Sequence, residues 1–386
     1  MPMSGDRRLV TNEISLYFHI PFCRKKCPYC HFYVIPDQPE ARQNYLEALA
    51  LEWELIQEKA SGKEICSIYF GGGTPSLIGP EAIASILSWV NKSQTVQKQA
   101  EITLEVNPEN ADLDWMRGYL EAGVNRVSLG VQSLIDEELI SIGRGHSAHR
   151  AVEAIGNLQK AGFDNISCDL MYDLPRQTMK GWEKTLACIE EMPISHLSFY
   201  NLTIEPNTPF YRQKEQLERE RPDEDTSLEM VEYARQSLSK AGFEQYEISA
   251  YAREGKISRH NTGYWTARPF LGLGPSAFSY FEGKRYRNVC HLNRYAAALK
   301  EGASPVDFEE KLEDAAQIRE LFAVEIRLLR GVHLPSFQKR HGALPDAMRE
   351  ELQELATSDL LKVEGDTVKL TARGQIFYDT VAEKLV

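Results

Sequence analysis

Between residues 14 and 202 short apolar runs alternate with longer amphipathic ones, and no other feature of the chain constrains its fold as much. The runs Ile14–Ile20, Ile65–Phe70, Ile102–Val106, Val124–Gly130, Asn165–Leu170 and His196–Leu202 are short and rich in Ile, Val, Leu, Tyr and Phe, as strands are. Between them, Asn44–Lys59 repeats apolar residues at three- and four-residue steps (Leu46, Leu49, Ala50, Trp53, Ile56), which marks one face of a helix. Glu81–Val90, Asp112–Glu121, Arg150–Ala161 and Met179–Glu190 read the same way, and Gly123, Gly162 and Gly242 follow helix ends where a left-handed cap is needed. Six β–α units in a row predict a parallel sheet with helices outside it, wound by right-handed crossovers into an open sheet or a partial barrel. In either form, chemistry belongs at the carboxyl ends of the strands.

Three segments follow from this reading: 1–245 for the β/α core, 246–305 for an aromatic, glycine-rich stretch of ordered loops and short strands, and 306–386 for a small C-terminal domain. In the last, Ala315–Leu329 and Pro345–Ala356 are amphipathic, Leu361–Leu370 alternates around Gly365–Asp366 as a hairpin does, and a helix is predicted from Thr371 to the end. Helices followed by a hairpin suggest an α+β unit of winged-helix type. Its acidic residues outnumber its basic ones, which favours a structural or protein-contact role. The whole chain of 386 residues carries a formal net charge of −12, unsuited to coating a phosphate backbone, so no nucleic acid is expected as a partner. No apolar run has the ~18 residues or more of a membrane helix. Residues 1–9 are polar and lack the apolar core of a signal peptide, which points to the cytoplasm.

The sharpest chemical signal is the loop Cys23-Arg-Lys-Lys-Cys27-Pro-Tyr-Cys30, directly after the first strand. Three thiolates on one loop suit three corners of a cubane iron–sulfur cluster and leave the fourth iron open. A structural zinc site would need a fourth ligand, for which His31 is the candidate. Cys66, Cys168, Cys188 and Cys290 lie on apolar stretches and are expected to be buried hydrophobes. Gly71-Gly-Gly-Thr-Pro-Ser76 follows the second strand, where glycines would let backbone N–H groups approach a ligand. Glu105, Gln132, Arg144 and Asp169 end later strands or open the loops after them. Arg144 can grip a carboxylate with two parallel bonds.

This ordered set resembles the radical S-adenosylmethionine (SAM) superfamily, within it the family of oxygen-independent coproporphyrinogen III oxidase, and further its HemW-type branch. The resemblance covers most of the chain. It implies a partial (β/α)6 barrel followed by the winged-helix-like domain, and a [4Fe–4S] cluster on Cys23, Cys27 and Cys30 whose open iron is chelated by SAM. It further implies SAM contacts from Tyr17, Tyr29, Gly72, Gly73, Thr74, Glu105, Gln132, Arg144 and Asp169. Asp173 departs from the family, which usually has glycine after this tyrosine, and leaves the local turn in question.

A second string, His260-Asn-Thr-Gly-Tyr264-Trp265, resembles a signature of the HemW branch. Imidazole can ligate haem iron and flat rings can pack on the macrocycle, so the resemblance implies haem contacts from His260, Tyr264 and Trp265. Without the resemblance, a histidine bonded to backbone in a tight turn is the simpler reading. Phe32 occupies the position at which the coproporphyrinogen enzyme carries a further cysteine, and the HemW branch typically has Phe there. What the resemblance implies is a haem chaperone, served by an electron donor, that hands haem to an acceptor protein, whether free or at a membrane. The alternative is oxidative decarboxylation of coproporphyrinogen III to protoporphyrinogen.

Overall fold

The computed structural model describes residues 12–386; the polar stretch 1–9 lies outside the described residues. The core runs β1 (Glu13–Ile20), a short pair β2 (Phe22–Cys23) and β3 (Ile35–Pro36), α1 (Pro39–Ile56), β4 (Glu64–Gly72), α2 (Pro80–Ser93), β5 (Thr95–Val106), α3 (Leu113–Glu121), β6 (Arg126–Gln132), α4 (Asp136–Ser141), α5 (Ala148–Ala161), β7 (Ile166–Tyr172), α6 (Met179–Glu190) and β8 (His196–Asn201). All six expected strands and five expected helices are there. Gly123, Gly162 and Gly242 have positive φ, as left-handed caps require.

Strands β1, β4, β5, β6, β7 and β8 lie side by side in that order, all parallel. Their register puts polar residues opposite one another: Ser15 with Ser67, Ser67 with Glu101, Glu105 with Ser128, Asp169 with Ser198. The intervening residues (Leu16, Phe18, Ile68, Phe70, Leu104, Val127, Leu129, Ile166) are buried in the main core with the helices. The two-residue period of a strand thus sorts the chain into an apolar outer face and a polar inner face. Each fully buried apolar side chain contributes about 1.5–3 kcal/mol. The polar face therefore has to be held in place by the apolar one.

Beyond β8 the chain continues as α7 (Lys214–Glu220), α8 (Glu224–Lys240), β9 (Glu244–Glu247), β10 (Ala250–Ala252), α9 (Arg259–Trp265), β11 (Phe270–Leu273), β12 (Phe278–Phe281), β13 (Lys284–Asn288), α10 (Leu292–Lys300) and β14 (Val306–Glu310). The stretch expected as loops and short strands has the short strands and also holds helices α9 and α10. β11 pairs parallel with β1, and β12, β13 and β14 add antiparallel strands beyond it, so this region extends the core sheet to twelve strands. A buried carboxylate anchors the extension. Glu52 on α1 accepts from Gly274 N (2.7 Å), the Asn288 amide (2.6 Å) and the Tyr295 hydroxyl (2.5 Å).

The C-terminal unit is α11 (Asp314–Glu325), β15 (Val332–His333), α12 (Leu334–His341), α13 (Asp346–Thr357), β16 (Leu361–Glu364), β17 (Thr367–Leu370), α14 (Ala372–Ile376) and α15 (Tyr378–Leu385), in winged-helix order with its own core around Phe322, Phe337 and Met348. Three expectations shift here. α11 stops at Glu325, because Leu328 and Leu329 turn aside to pair with Glu247 and Tyr246. α12 was not expected. The last helix breaks at Phe377.

Asp173 takes the left-handed conformation that glycine would adopt freely (φ 60°). Its carboxylate compensates: it accepts from Asn201 at the end of β8 and from Ser227 on α8, and lies 3.4 Å from Arg221. The turn survives the substitution.

Candidate functional site

At the carboxyl ends of the parallel strands lies a cavity of about 390 Å³. Its wall includes Cys23, Cys27, Cys30, Tyr29, Gly72, Gly73, Thr74, Glu105, Gln132, Arg144 and Asp169, so eleven expected residues separated by up to 146 positions come together. Tyr17 does not join them. Its hydroxyl is 3.1 Å from His19 Nδ1, and its ring stacks on Tyr69 and lines a second cavity. Sequence reasoning missed Asn107, Ser128 and Tyr200 in the first wall. Strand phase alone could have found Asn107 and Ser128, which share the inner face with Glu105.

All three loop cysteines are free and partly exposed. Cys23 Sγ lies 3.6 Å from Thr74 Oγ1, and Arg144 Nη1 lies 3.7 Å from Cys27 Sγ. Burial pushes the Cys23 thiol up to about 11, so a metal taking its thiolate must displace a proton. Among the described residues no three His, Cys, Asp or Glu side chains gather tightly enough to chelate one ion. Arg144 also donates to Asn107 Oδ1 and Gly130 O (both 2.8 Å), which fixes its fork, while its buried Nε has no partner among the described residues. An unpaired buried guanidinium donor beside thiols fits an anionic group of a bound molecule.

The carboxylates are similarly poised. Glu105 accepts from Tyr69 (2.9 Å) and Gly72 N (3.1 Å), and burial lifts it to about 7. Asp169 accepts from Ser128 (3.1 and 3.2 Å), and burial lifts it to about 6. Both are acceptors short of a cationic partner.

The glycine motif works differently from the expectation. Its N–H groups are already used: Gly72 N on Glu105, Gly73 N on Ile20 O (2.9 Å), Thr74 N on Phe22 O (2.7 Å). A Cβ on Gly73 would stand 2.6 Å from Phe22 O, so glycine is needed here for close packing against the cysteine loop. What the motif can offer a ligand is carbonyl oxygens.

The string His260–Trp265 forms helix α9, which seals the opposite, amino-terminal end of the barrel. Glu101 accepts from Arg259 N and His260 N (both 2.9 Å) at the first turn of α9, where a negative charge is favourable. His260 is 1 % exposed, with Nδ1 3.0 Å from Ser67 Oγ and Nε2 2.8 Å from Tyr264 OH. Burial drives its pKa well below the usual histidine range. Both ring nitrogens of His260 have partners inside the protein, and its side chain is not among those that line the neighbouring cavity. A Cβ on Gly263 would meet the Arg268 guanidinium, which would have to move aside.

Tyr264 and Trp265 do line a cavity, of about 550 Å³, between β1, β11 and β12 on one side and α11 on the other. Its wall is aromatic: Tyr17, Tyr33, Tyr264, Trp265, Phe270, Phe278 and Tyr280, with Leu321 and Val324 from α11. Arg268 reaches it, bonded only to Ser15, Ser67 and the Arg259 carbonyl, with no carboxylate in salt-bridge range among the described residues. His31 and the 53 % exposed Phe32 border both cavities. Two cysteine expectations fail: Cys66 and Cys168 are buried, but Cys188 is exposed and Cys290 is partly so.

A description of the radical SAM superfamily matches residues 17–189, and one of the HemN C-terminal domain matches 312–377. The chain is similar to "Heme chaperone HemW" of Haemophilus influenzae, 32 % identical over 96 % of this chain and 97 % of that one, and of Escherichia coli, 33 % identical over 96 % and 97 %. It is 38 % identical over 70 % of its length to "Radical S-adenosyl methionine domain-containing protein 1, mitochondrial" of Danio rerio, and spans 61 % of that longer protein. Among solved structures, coproporphyrinogen III oxidase (HemN) of Escherichia coli superposes with a TM-score of 0.84 over 98 % of this chain and 91 % of the other, at 22 % identity, which establishes the shared fold. A cysteine loop at the strand ends, a parallel half-barrel behind it and full-length similarity place this chain in the HemW family of the radical SAM superfamily.

Proposed function

We propose that this chain is a haem chaperone: it holds a [4Fe–4S] cluster on Cys23, Cys27 and Cys30, binds SAM beside it, binds haem in the aromatic cavity and passes haem to an acceptor protein. The observation that carries this reading is the pair of adjoining cavities, one walled by thiols and poised carboxylates, the other by aromatic rings, with His31 and Phe32 between them. When bound, the cluster would supply one electron to the SAM sulfonium. The chain's own residues bind and orient. Arg144 offers its spare donor to the SAM carboxylate, the carbonyls of Gly72 and Gly73 and the carboxylates of Glu105 and Asp169 accept from ammonium and ribose hydroxyls, and Tyr29 lies against the adenine. Gln132 and Thr74 complete the polar wall. In the second cavity the rings of Tyr264, Trp265 and Phe270 pack on the macrocycle, and Arg268 meets a propionate.

Phe32 separates this reading from coproporphyrinogen decarboxylation, because phenylalanine cannot stand in for a thiol. The cytoplasm, an electron donor and an acceptor, soluble or at a membrane, belong to the same proposal. No helix among the described residues is long and apolar enough to cross a membrane. The test is anaerobic reconstitution, with electron paramagnetic resonance before and after SAM, then haemin titration of the same sample. A cluster signal altered by SAM and about one haem bound per chain are expected. No saturable Soret shift, or protoporphyrinogen formed from coproporphyrinogen III, would overturn the chaperone reading.

A further inference from the structure

We infer that His31 supplies the nitrogen ligand to the iron of haem held in the aromatic cavity, an inference that rests on the haem reading above. Two histidines line that cavity, His19 and His31. His19 is committed: Nδ1 lies 3.1 Å from the Tyr17 hydroxyl and Nε2 3.0 Å from the Tyr33 carbonyl. His260 is closed off behind the wall by Ser67 and Tyr264. The His31 ring is exposed, 4.6 Å from the Phe32 ring, and neither of its nitrogens has a hydrogen-bond partner among the described residues. Among the described residues, no cysteine or methionine lines this cavity.

Phenolate ligands are poor competitors. The Tyr17 and Tyr264 hydroxyls are bound to histidines, and the Tyr33 hydroxyl takes the Leu292 N–H at 2.8 Å. Tyr280 keeps its proton, since burial raises its phenol above the usual range. His31 is therefore the one strong nitrogen donor with a lone pair to spare. It donates that pair to ferric iron in place of water, with no change in oxidation state. Its place next to Cys30 puts the cargo iron at the border of the two cavities, with Phe32 against the macrocycle edge and Arg268 nearer the sealed end, where it bonds Ser15.

The experiment titrates haemin into the full chain and into His31→Ala, each with its cluster and again without it, so that a lost cluster cannot imitate a lost ligand. Expected is a tenfold or larger loss of haem affinity in His31→Ala, by analogy with the roughly 10–100-fold seen for disturbed metal ligation, with a shifted Soret band. Added imidazole should restore the wild-type spectrum in the variant. An unchanged Soret position and affinity in His31→Ala, or failure of imidazole to restore the spectrum, would overturn the assignment. If the unaltered chain binds no haem, it is the underlying chaperone reading that fails.

Discussion

The two ends of the barrel lumen both carry buried polar side chains, to opposite effect. At the amino-terminal end, Glu101, His260, Ser67 and Tyr264 satisfy one another, and His196 does the same with Ser167 (2.7 Å) and Tyr246 (2.8 Å). At the carboxyl-terminal end, among the described residues, Arg144 has a spare donor, Glu105 and Asp169 form no salt bridge, and three thiols are unbridged. A closed network stabilises; an open one is ready for a ligand. Residue type alone does not tell the two apart, and the closure is not complete: the buried Nε of Arg126, 4.0 Å from Glu101, also has no hydrogen-bond partner among the described residues.

Substitutions at each end should separate stability from binding. The largest effect is expected from Cys27→Ala, which should abolish iron and sulfide uptake on anaerobic reconstitution while chemical denaturation stays near wild type. Glu101→Ala should do the reverse. It removes the acceptor of two α9 N–H groups and strands the buried Arg126, whose Nε is 4.0 Å away, so a loss of about 3–5 kcal/mol in denaturant titration is expected. Full stability in that variant would remove the sealed end from the comparison.

Arg144→Lys keeps the charge but loses the fork held by Asn107 and Gly130, so SAM affinity should fall about tenfold or more by calorimetry, with stability little changed. His260→Ala should cost about 1–3 kcal/mol by leaving the buried Tyr264 hydroxyl unpaired, while Ser67 keeps Ser15 and Arg268. It should weaken haem only through a loosened Tyr264, and so leave the Soret position unchanged. The smallest effect concerns pH. Asp169 near 6 and Glu105 near 7 are raised above their unfolded values, so their contribution to stability is present at low pH and is lost as pH rises through 6 and 7. With the SAM contacts proposed above both must be ionised, so its apparent dissociation constant should rise as pH falls from 8 to 6, and Asp169→Asn should flatten that curve.

How much of this was legible in the sequence follows from the range of the interactions involved. The β–α core was, since its periods of two and about 3.6 residues are local. The cysteine loop was too, because its spacing is its chemistry. α9 was not: seven residues of mixed polar and aromatic character carry no period, and its seat depends on Glu101, about 160 positions away. For the same reason the seat of His260 was not legible. Its true partner Ser67 is 193 positions distant and reaches it only because β4 faces the lumen at that point. The glycine motif misled differently, since which partner takes an N–H is a matter of packing.

The pairing of β1 with β11 has a consequence for how the chain is made. β1 carries the thiol loop at its end, yet one of its two neighbours is residues 270–273. While the ribosome is still synthesising the middle of the chain, that strand has an open edge and the aromatic cavity has no outer wall. On the proposed function, the thiol loop is made before any place for a porphyrin exists, so the cluster site precedes the haem site along the growing chain.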